Sequence, residues 1–347
     1  MANEAPPFWW EPADWRARAL QPVSWLYGLA ARYRLEHAPR VPVAAPVLCI
    51  GNFTVGGSGK TPVAISMAGH ARSRGLRPGF LSRGYGGHAR GAHRVDPEHD
   101  SPRLVGDEPL LLARHAPTVV SRDRIAGARL LIEAGADLII MDDGFQSARI
   151  HMDYALLVVD ATRGIGNGFV LPGGPLRAPL VAQLSRADAL LVVGSGRAAD
   201  PVVRQAARAG RPIYAARLRP AAGRPLSGRR FLAFAGIGNP ARFFDSVSEA
   251  GGWVSATRAF PDHHFYADDE LSELAATARS AGLELVTTVK DAVRLQHGSQ
   301  QARALLEELT VLDVEVAFEL ETTPGRILEE TLAGWRRRRL TMNFRAA

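Results

Sequence analysis

Beyond Pro46 the chain alternates short apolar runs with longer stretches of mixed polarity. The runs are "VLCIGN" (47–52), "PGFLSRG" (78–84), "TVVS" (118–121), "DLIIMDD" (137–143), "YALLVVD" (154–160) and "ALLVVG" (189–194). Continuous β-branched and leucine runs of this length suit strands buried on both faces. The segments between them, such as 60–74 and 122–134, suit helices. Such alternation predicts an α/β fold with a mainly parallel sheet and helices on both faces. The Arg-, Pro- and Gly-rich stretch "RLRPAAGRPLSGRR" (217–230) reads as a linker or long loop. A second alternating set follows: "FLAFAGIG", a helix near 240–250, "GWVSATRAF", a helix near 268–281, "ELVTT" and "TVLDVEVAFEL". The pattern therefore divides the chain into an N-terminal segment (1–40), a core α/β domain (41–225) and a smaller C-terminal α/β domain (226–347).

The N-terminal segment breaks the alternation. Four of the six tryptophans (Trp9, Trp10, Trp15, Trp25) fall within the first 25 residues. Pro22 suits the first position of a helix, and Trp25, Leu26, Leu29 and Tyr33 follow at helical spacing, with Arg16, Arg18, Arg32 and Arg34 beside them. Aromatic and arginine side chains on one amphipathic helix describe a segment lying in a membrane interface. The competing reading is a helix packed on the protein's own core. No apolar run is long enough to predict a spanning helix, and the start lacks the pattern of a signal peptide.

Composition changes this picture little. The chain has 347 residues, 46% hydrophobic and 22% charged, as in an ordinary globular protein. Its net charge of +7 favours acidic partners such as nucleic acid, anionic lipid or phosphorylated substrates without choosing among them. The single cysteine, Cys49, permits no internal disulfide and sits in an apolar run, as a buried small hydrophobe would. "RRRR" (336–339) reads as a solvated helix face or as added attraction to lipid or phosphate.

The candidate chemistry begins at "TVGGSGKT" (54–61). A phosphate-binding loop needs backbone N–H groups converging at a helix N-terminus. Here Thr54, Val55, Gly56, Gly57, Ser58, Gly59, Lys60 and Thr61 form that loop, following a strand and preceding a helix. The first expected glycine of the P-loop pattern is Thr54 instead, a departure at the loop entry only. Lys60 can reach the β- and γ-phosphates and Thr61 can ligate Mg²⁺. A strand ending in Asp142 and Asp143 supplies carboxylates for the metal, directly or through water. "SRGYGG" carries Arg83, "VGDEP" offers Asp107 and Glu108 in a turn, and "SRDRIAGA" places Arg122 and Arg124 at a helix start. All would lie at strand C-terminal ends, where open α/β sheets bind ligands. "FPDHHFY" (260–266) has adjacent His263 and His264; adjacent side chains rarely chelate together, so acid–base help fits them better than a metal.

Taken in order, "GNFTVGGSGKTP", "SRGYGG", "VGDEP", "MDDGFQ", "LPGGPLRAP", "FAGIGNPARFF", "FPDHHFY" and "TTVKD" resemble the tetraacyldisaccharide 4′-kinase family, the lipid A 4′-kinases of Gram-negative bacteria. The resemblance spans roughly residues 20 to 330. It implies a P-loop NTPase-type fold and transfer of the γ-phosphate of ATP, with Mg²⁺, to the 4′-hydroxyl of an acylated glucosamine disaccharide 1-phosphate lipid. It further implies a catalytic base at Asp107 assisted by His263 or His264, an arginine near the transferred phosphate at Arg124 or Arg122, and metal contacts at Thr61, Asp142 and Asp143. The implied setting is the cytoplasmic face of the bacterial inner membrane, with a peripheral or monotopic monomer on an anionic surface and no nucleic-acid partner. Two positions depart from the family pattern: Ser147 replaces the histidine of "DDGFQH", and Ala178 replaces the acidic residue of "GPLREP". A GTPase would need an N-K-x-D motif, which "TTVKD" is not; a nucleic-acid-dependent ATPase is suggested only by the net charge; and a non-catalytic ATP binder is raised by Ser147 and Ala178.

Overall fold

The protein was analysed as a computed structural model that describes residues 5–147, 149–221 and 225–346. The apolar runs become strands β1 (Val47–Asn52), β2 (Pro78–Ser82), β3 (His93–Arg94), β4 (Thr118–Val120), β5 (Leu138–Asp142), β6 (Tyr154–Asp160) and β7 (Ala189–Val193). They are followed by β8 (Ile213–Pro220), β9 (Arg230–Ala235), β10 (Trp253–Ala259), β11 (Glu284–Thr288), β12 (Thr310–Leu312) and β13 (Val314–Phe318). A nine-stranded sheet runs β13-β8-β7-β6-β1-β5-β2-β4-β3 and a four-stranded sheet runs β10-β9-β11-β12. The larger sheet is parallel except at its edges, where β13 joins β8 and β3 joins β4 antiparallel. β1, β2, β5 and β6 are buried along their whole length, so both faces of the sheet need cover. One face packs residues such as Cys49, Ile139 and Leu157. The other packs Ile50, Ile140 and Leu156 against Val63, Met67 and Ala71 of the helix Lys60–Ser73. Cys49 is fully buried, and burial pushes its thiol up to about 12.

Three expectations change. The linker reading of 217–230 gives way at its start, because residues 217–220 belong to strand β8 and pair with the edge strand β13. "TVLDVEVAFEL" is two strands in different sheets, separated at Asp313, whose carboxylate accepts the Val314 N–H at 2.7 Å. The C-terminal stretch of 226–347 therefore returns to the first sheet. β13 extends it, and Ile327 and Leu328 of the helix Thr323–Ala346 enter its core.

Arg338 secures that return. It makes two bonds to Asp153 (2.8 and 3.0 Å) and donates to the Val43 carbonyl at 2.9 Å. Of the arginines at 336–339 it is the one turned inward; Arg336, Arg337 and Arg339 are exposed. The Asp153 side chain is fully buried, so removing its partner strands a charge. Arg338→Ala is expected to cost about 3 kcal/mol in denaturant unfolding; a loss below about 1 kcal/mol would show that this pair does not hold the helix.

Candidate active site

Parallel pairing sends the C-terminal ends of β1, β5 and β6 to one edge of the sheet, and the phosphate loop follows β1. Gly59 caps the helix Lys60–Ser73 with a left-handed backbone (φ +83°), a shape that costs a side chain dearly. Thr54 forms a bridge with Leu176, Val55 N–H donates to the Pro175 carbonyl (2.9 Å), and Arg177 N–H donates to the Phe53 carbonyl (2.9 Å). The segment with the missing glycine is thus fastened to "LPGGPLRAP" by backbone bonds.

Thr61 Oγ1 donates to Asp142 Oδ2 at 3.0 Å, while Asp142 Oδ1 is buried without a partner. Burial, and then the charge of Glu108, push the Asp142 carboxyl up to about 7, against the pull of Lys60. A buried acceptor short of positive charge beside a hydroxyl is a donor set that suits a hard divalent cation. Among the described residues no group of three or more His, Cys, Asp or Glu is placed to hold a metal unaided. Mg²⁺ completes its shell with water and substrate phosphates, so the residues fit that ion.

Asp143 is engaged differently. Arg177 grips both of its oxygens (2.8 and 2.9 Å) and also donates to the Thr54 carbonyl (2.9 Å), while Lys60 Nζ lies 3.8 Å from Asp143 Oδ1. Burial opposes the Asp143 charge, but Lys60 and Arg177 outweigh it and hold the carboxyl well below its ordinary range. Asp143 has a left-handed backbone (φ 55°); so does His263 (φ 61°), and among the described residues no other non-glycine does. Strained backbone of this kind collects at functional positions.

Asp107 begins a helix, Asp107–Ala113, rather than sitting in a turn. Gly106 (φ +92°) makes this possible: a Cβ there would lie 2.7 Å from the Tyr85 carbonyl, so "SRGYGG" and "VGDEP" touch backbone to backbone. His263 Nδ1 reaches Asp107 at 3.0 and 3.1 Å from the other unit. Burial disfavours the Asp107 charge, yet His263, Arg294 and Lys290 overcome it and hold the carboxyl far down. The bond to Asp107 raises His263 in turn. His264 turns away, bonding Glu270 Oε2 (2.8 Å) and stacking on Phe260.

The two units meet over the phosphate loop. Arg242 pairs with Asp160 at 2.7 Å, Arg163 donates to the Gly238 carbonyl at 2.8 Å, and a Cβ on Gly238 would lie 3.4 Å from the Gly57 amide nitrogen. Arg124 is only 2% exposed while Arg122 is exposed. Arg124 Nε meets Ser147 Oγ at 3.4 Å and its Nη2 has no partner; burial lowers the guanidinium to about 10. Ala178 is buried, and its carbonyl accepts the Gln183 side chain at 2.7 Å.

The edge therefore gathers Lys60, Thr61, Asp142 and Asp143, and Asp107 pairs with His263 where the two units meet. Sequence reading overlooked Arg177, Arg294 and the Lys290–Glu108 pair. Arg177 lies in a Pro/Gly loop with no periodicity. Arg294 follows "TTVKD" by one helical turn, and that i, i+3 relation to Asp291 was the available signal.

A family model described as tetraacyldisaccharide-1-P 4′-kinase matches residues 16–333. A tetraacyldisaccharide 4′-kinase of Mesorhizobium japonicum is 60% identical over 341 residues, 98% of this chain and 99% of the relative. One of Brucella anthropi is 55% identical over 338 residues, 97% and 99% of the two chains. The crystal structure of LpxK from Aquifex aeolicus in complex with ATP superimposes with a TM-score of 0.69 at 26% identity, covering 91% of this chain and 99% of that one.

The Asp107–His263 pair predicts a pH signature in stability. His263, raised in the fold, contributes fully below its ordinary pKa of ~6.5 and loses the contribution as pH rises through the raised value; Asp107, depressed, contributes above ~3.9 and loses it as pH falls through its folded value. The gap in thermal midpoint between wild type and His263→Gln is expected to be wide at about pH 6 and narrow at about pH 9. Equal gaps would mean that the pair carries no charge.

Proposed function

The chain belongs to the tetraacyldisaccharide-1-P 4′-kinase family, and on that premise we propose that it moves the γ-phosphoryl group of ATP to the 4′-hydroxyl of a tetraacylated glucosamine disaccharide 1-phosphate. As a family member it is a kinase of lipid A biosynthesis. The observation that carries the proposed mechanism is the Asp107–His263 bond between the two units, with Glu108, beside Asp107, near enough to Asp142 to raise its carboxyl.

The nucleotide phosphates lie on the amides of residues 54–61, with Lys60 on their terminal oxygens. Thr61 and Asp142 would hold Mg²⁺, which when bound supplies positive charge to the phosphate oxygens. Asp143 orients Lys60 and Arg177, and Arg124 adds positive potential behind the loop. Phosphoryl transfer asks for charge stabilisation and an aligned nucleophile, and these side chains provide the first. Asp107 takes the proton from the sugar hydroxyl as it attacks, and His263 passes that proton on. One observation favours a second reading. Asp107 is 4% exposed, and its oxygens accept Glu108 N–H, bond His263 and lie 3.3 Å from Arg294 Nε, whereas the His263 side chain is about one-third exposed. In that reading His263 Nε2 takes the proton and Asp107 stabilises the imidazolium. Every group named comes from one chain, so a monomer suffices.

The helix Gln21–His37 supports an interfacial site. It buries small residues, Ser24 and Gly28, against Gly173 and Pro179. It turns Trp25 (67% exposed), Leu26, Leu29 and Tyr33 outward. An apolar stripe facing out, flanked by Arg32 and Arg34, fits an anionic lipid surface better than a protein core. Among the described residues no helix is long and apolar enough to cross a membrane; on the family reading this helix would lie on the cytoplasmic face of the inner membrane.

Two experiments test the proposal. Incubated with γ-³²P-ATP and the tetraacylated acceptor in mixed micelles, wild type should label the lipid and Lys60→Ala should not. Asp107→Asn should lose ~10²–10⁴-fold in turnover at unchanged KM for ATP. ATP bound by wild type with the lipid unlabelled would refute the acceptor. Separately, Trp25→Glu with Leu29→Glu should weaken co-sedimentation with phosphatidylglycerol vesicles at least about tenfold while leaving the melting temperature unchanged. Unaltered sedimentation would exclude the interfacial role.

A further inference from the structure

Arg294 sits in the helix Val289–Gln296, far in sequence from both members of the Asp107–His263 pair, and is 3% exposed. Its Nε donates to the Lys290 carbonyl and lies 3.3 Å from Asp107 Oδ2, its Nη1 donates to the His264 carbonyl at 3.0 Å, and its Nη2, without a hydrogen bond, lies 3.3 Å from Asp291 Oδ1 as an ion pair. One guanidinium therefore holds the Asp107 carboxylate and the backbone next to His263. Asp291 is a firm anchor for it: fully buried, it accepts Gly236 N–H (3.0 Å), Tyr266 O–H (2.5 Å) and Thr288 O–H (2.6 Å). Gly236 leaves the room required, since a Cβ there would lie 3.0 Å from Arg294 Nη1 and 3.1 Å from His264 Cβ.

We infer that Arg294 is the positioning residue of the proton-accepting pair: it fixes the distance and charge state of Asp107 and His263 without touching substrate. The inference rests on the reading that this pair takes the acceptor's proton, and it holds whichever of the two receives it. A buried cation between two carboxylates, with carbonyl acceptors on Nε and Nη1, has little freedom to move, and a planar fork can face several partners at once where an ammonium cannot. The bond to the His264 carbonyl also steadies the left-handed backbone of His263. The charged and titratable groups facing the pair are Arg294 and Lys290 with Asp291 from one helix, Asp262 from the loop, and Glu108 beside Asp107. Arg294 is the cation among them in direct contact with Asp107.

The test is the pH profile of kcat for Arg294→Met and Arg294→Lys, with KM for ATP and thermal melts alongside. Losing the cation makes the pair easier to protonate. In Arg294→Met the acid limb should rise by about one pH unit, and turnover at neutral pH should fall roughly 10²-fold, with KM for ATP within about twofold of wild type. Arg294→Lys keeps the charge but not the three-way grip; its limb should stay in place while turnover falls roughly tenfold. A folded Arg294→Met with an unmoved limb, or Arg294→Lys at full turnover, overturns the inference; the lysine variant decides alone if the methionine variant does not fold. Turnover that survives both Asp107→Asn and His263→Gln would instead refute the base reading beneath it.

Discussion

Everything at the site depends on the parallel pairing of β1 with β5 and β6. Parallel neighbours finish at the same edge, so the polar residues that end them must share one rim. Asn52 ends β1, Asp142 ends β5 and Asp160 ends β6. A slip by one residue would break the bonds that Asn52, Asp142 and Asp160 make at the rim with Gly56, Thr61 and Arg242. The buried centre of the sheet thus delivers a carboxylate, a phosphate loop and an arginine partner to one place, and the helix Lys60–Ser73 aims its N-terminus at the same rim.

Charge at that rim is distributed in an ordered way. Asp143 is saturated by Arg177 and Lys60, and Asp107 by His263 and Arg294, but Asp142 keeps an oxygen free. Two carboxylates are neutralised by protein, and on the proposed reading the third would complete a metal's shell. That reading separates groups that hold the site's shape from the group that would meet the metal. Asp143 and His263 have left-handed backbones, and each is steadied by an arginine, Asp143 through its own carboxylate and His263 through the carbonyl of the next residue.

Much of this was legible before any coordinates. The phosphate loop, Asp142 and the central strands declare themselves through local pattern, because a strand buried on both faces has to be continuously apolar. Strand β8 did not, since Arg217 and Arg219 alternate with half-buried residues and its partner β13 lies about a hundred residues away. The Asp107–His263 meeting joins residues 156 positions apart; only resemblance, not spacing, pointed to it. Arg177 and Arg294 stayed hidden for the same reason. Their value lies in partners from other segments, and an arginine in a loop or on a helix looks like any solvated charge until those partners are placed.

The seating of the N-terminal helix has a mechanical consequence. Gly173 N–H bonds Ser24 Oγ on that helix, and two residues on the Pro175 carbonyl accepts Val55 N–H of the phosphate loop. The helix that would rest on lipid and the loop that would grip the nucleotide are therefore joined through one short, stiff segment rather than a tether. Such a connection acts as a ruler. On the proposed seating it would fix the height of the reacting phosphate above the bilayer, so that a sugar hydroxyl would be selected partly by how far it stands from its own acyl chains.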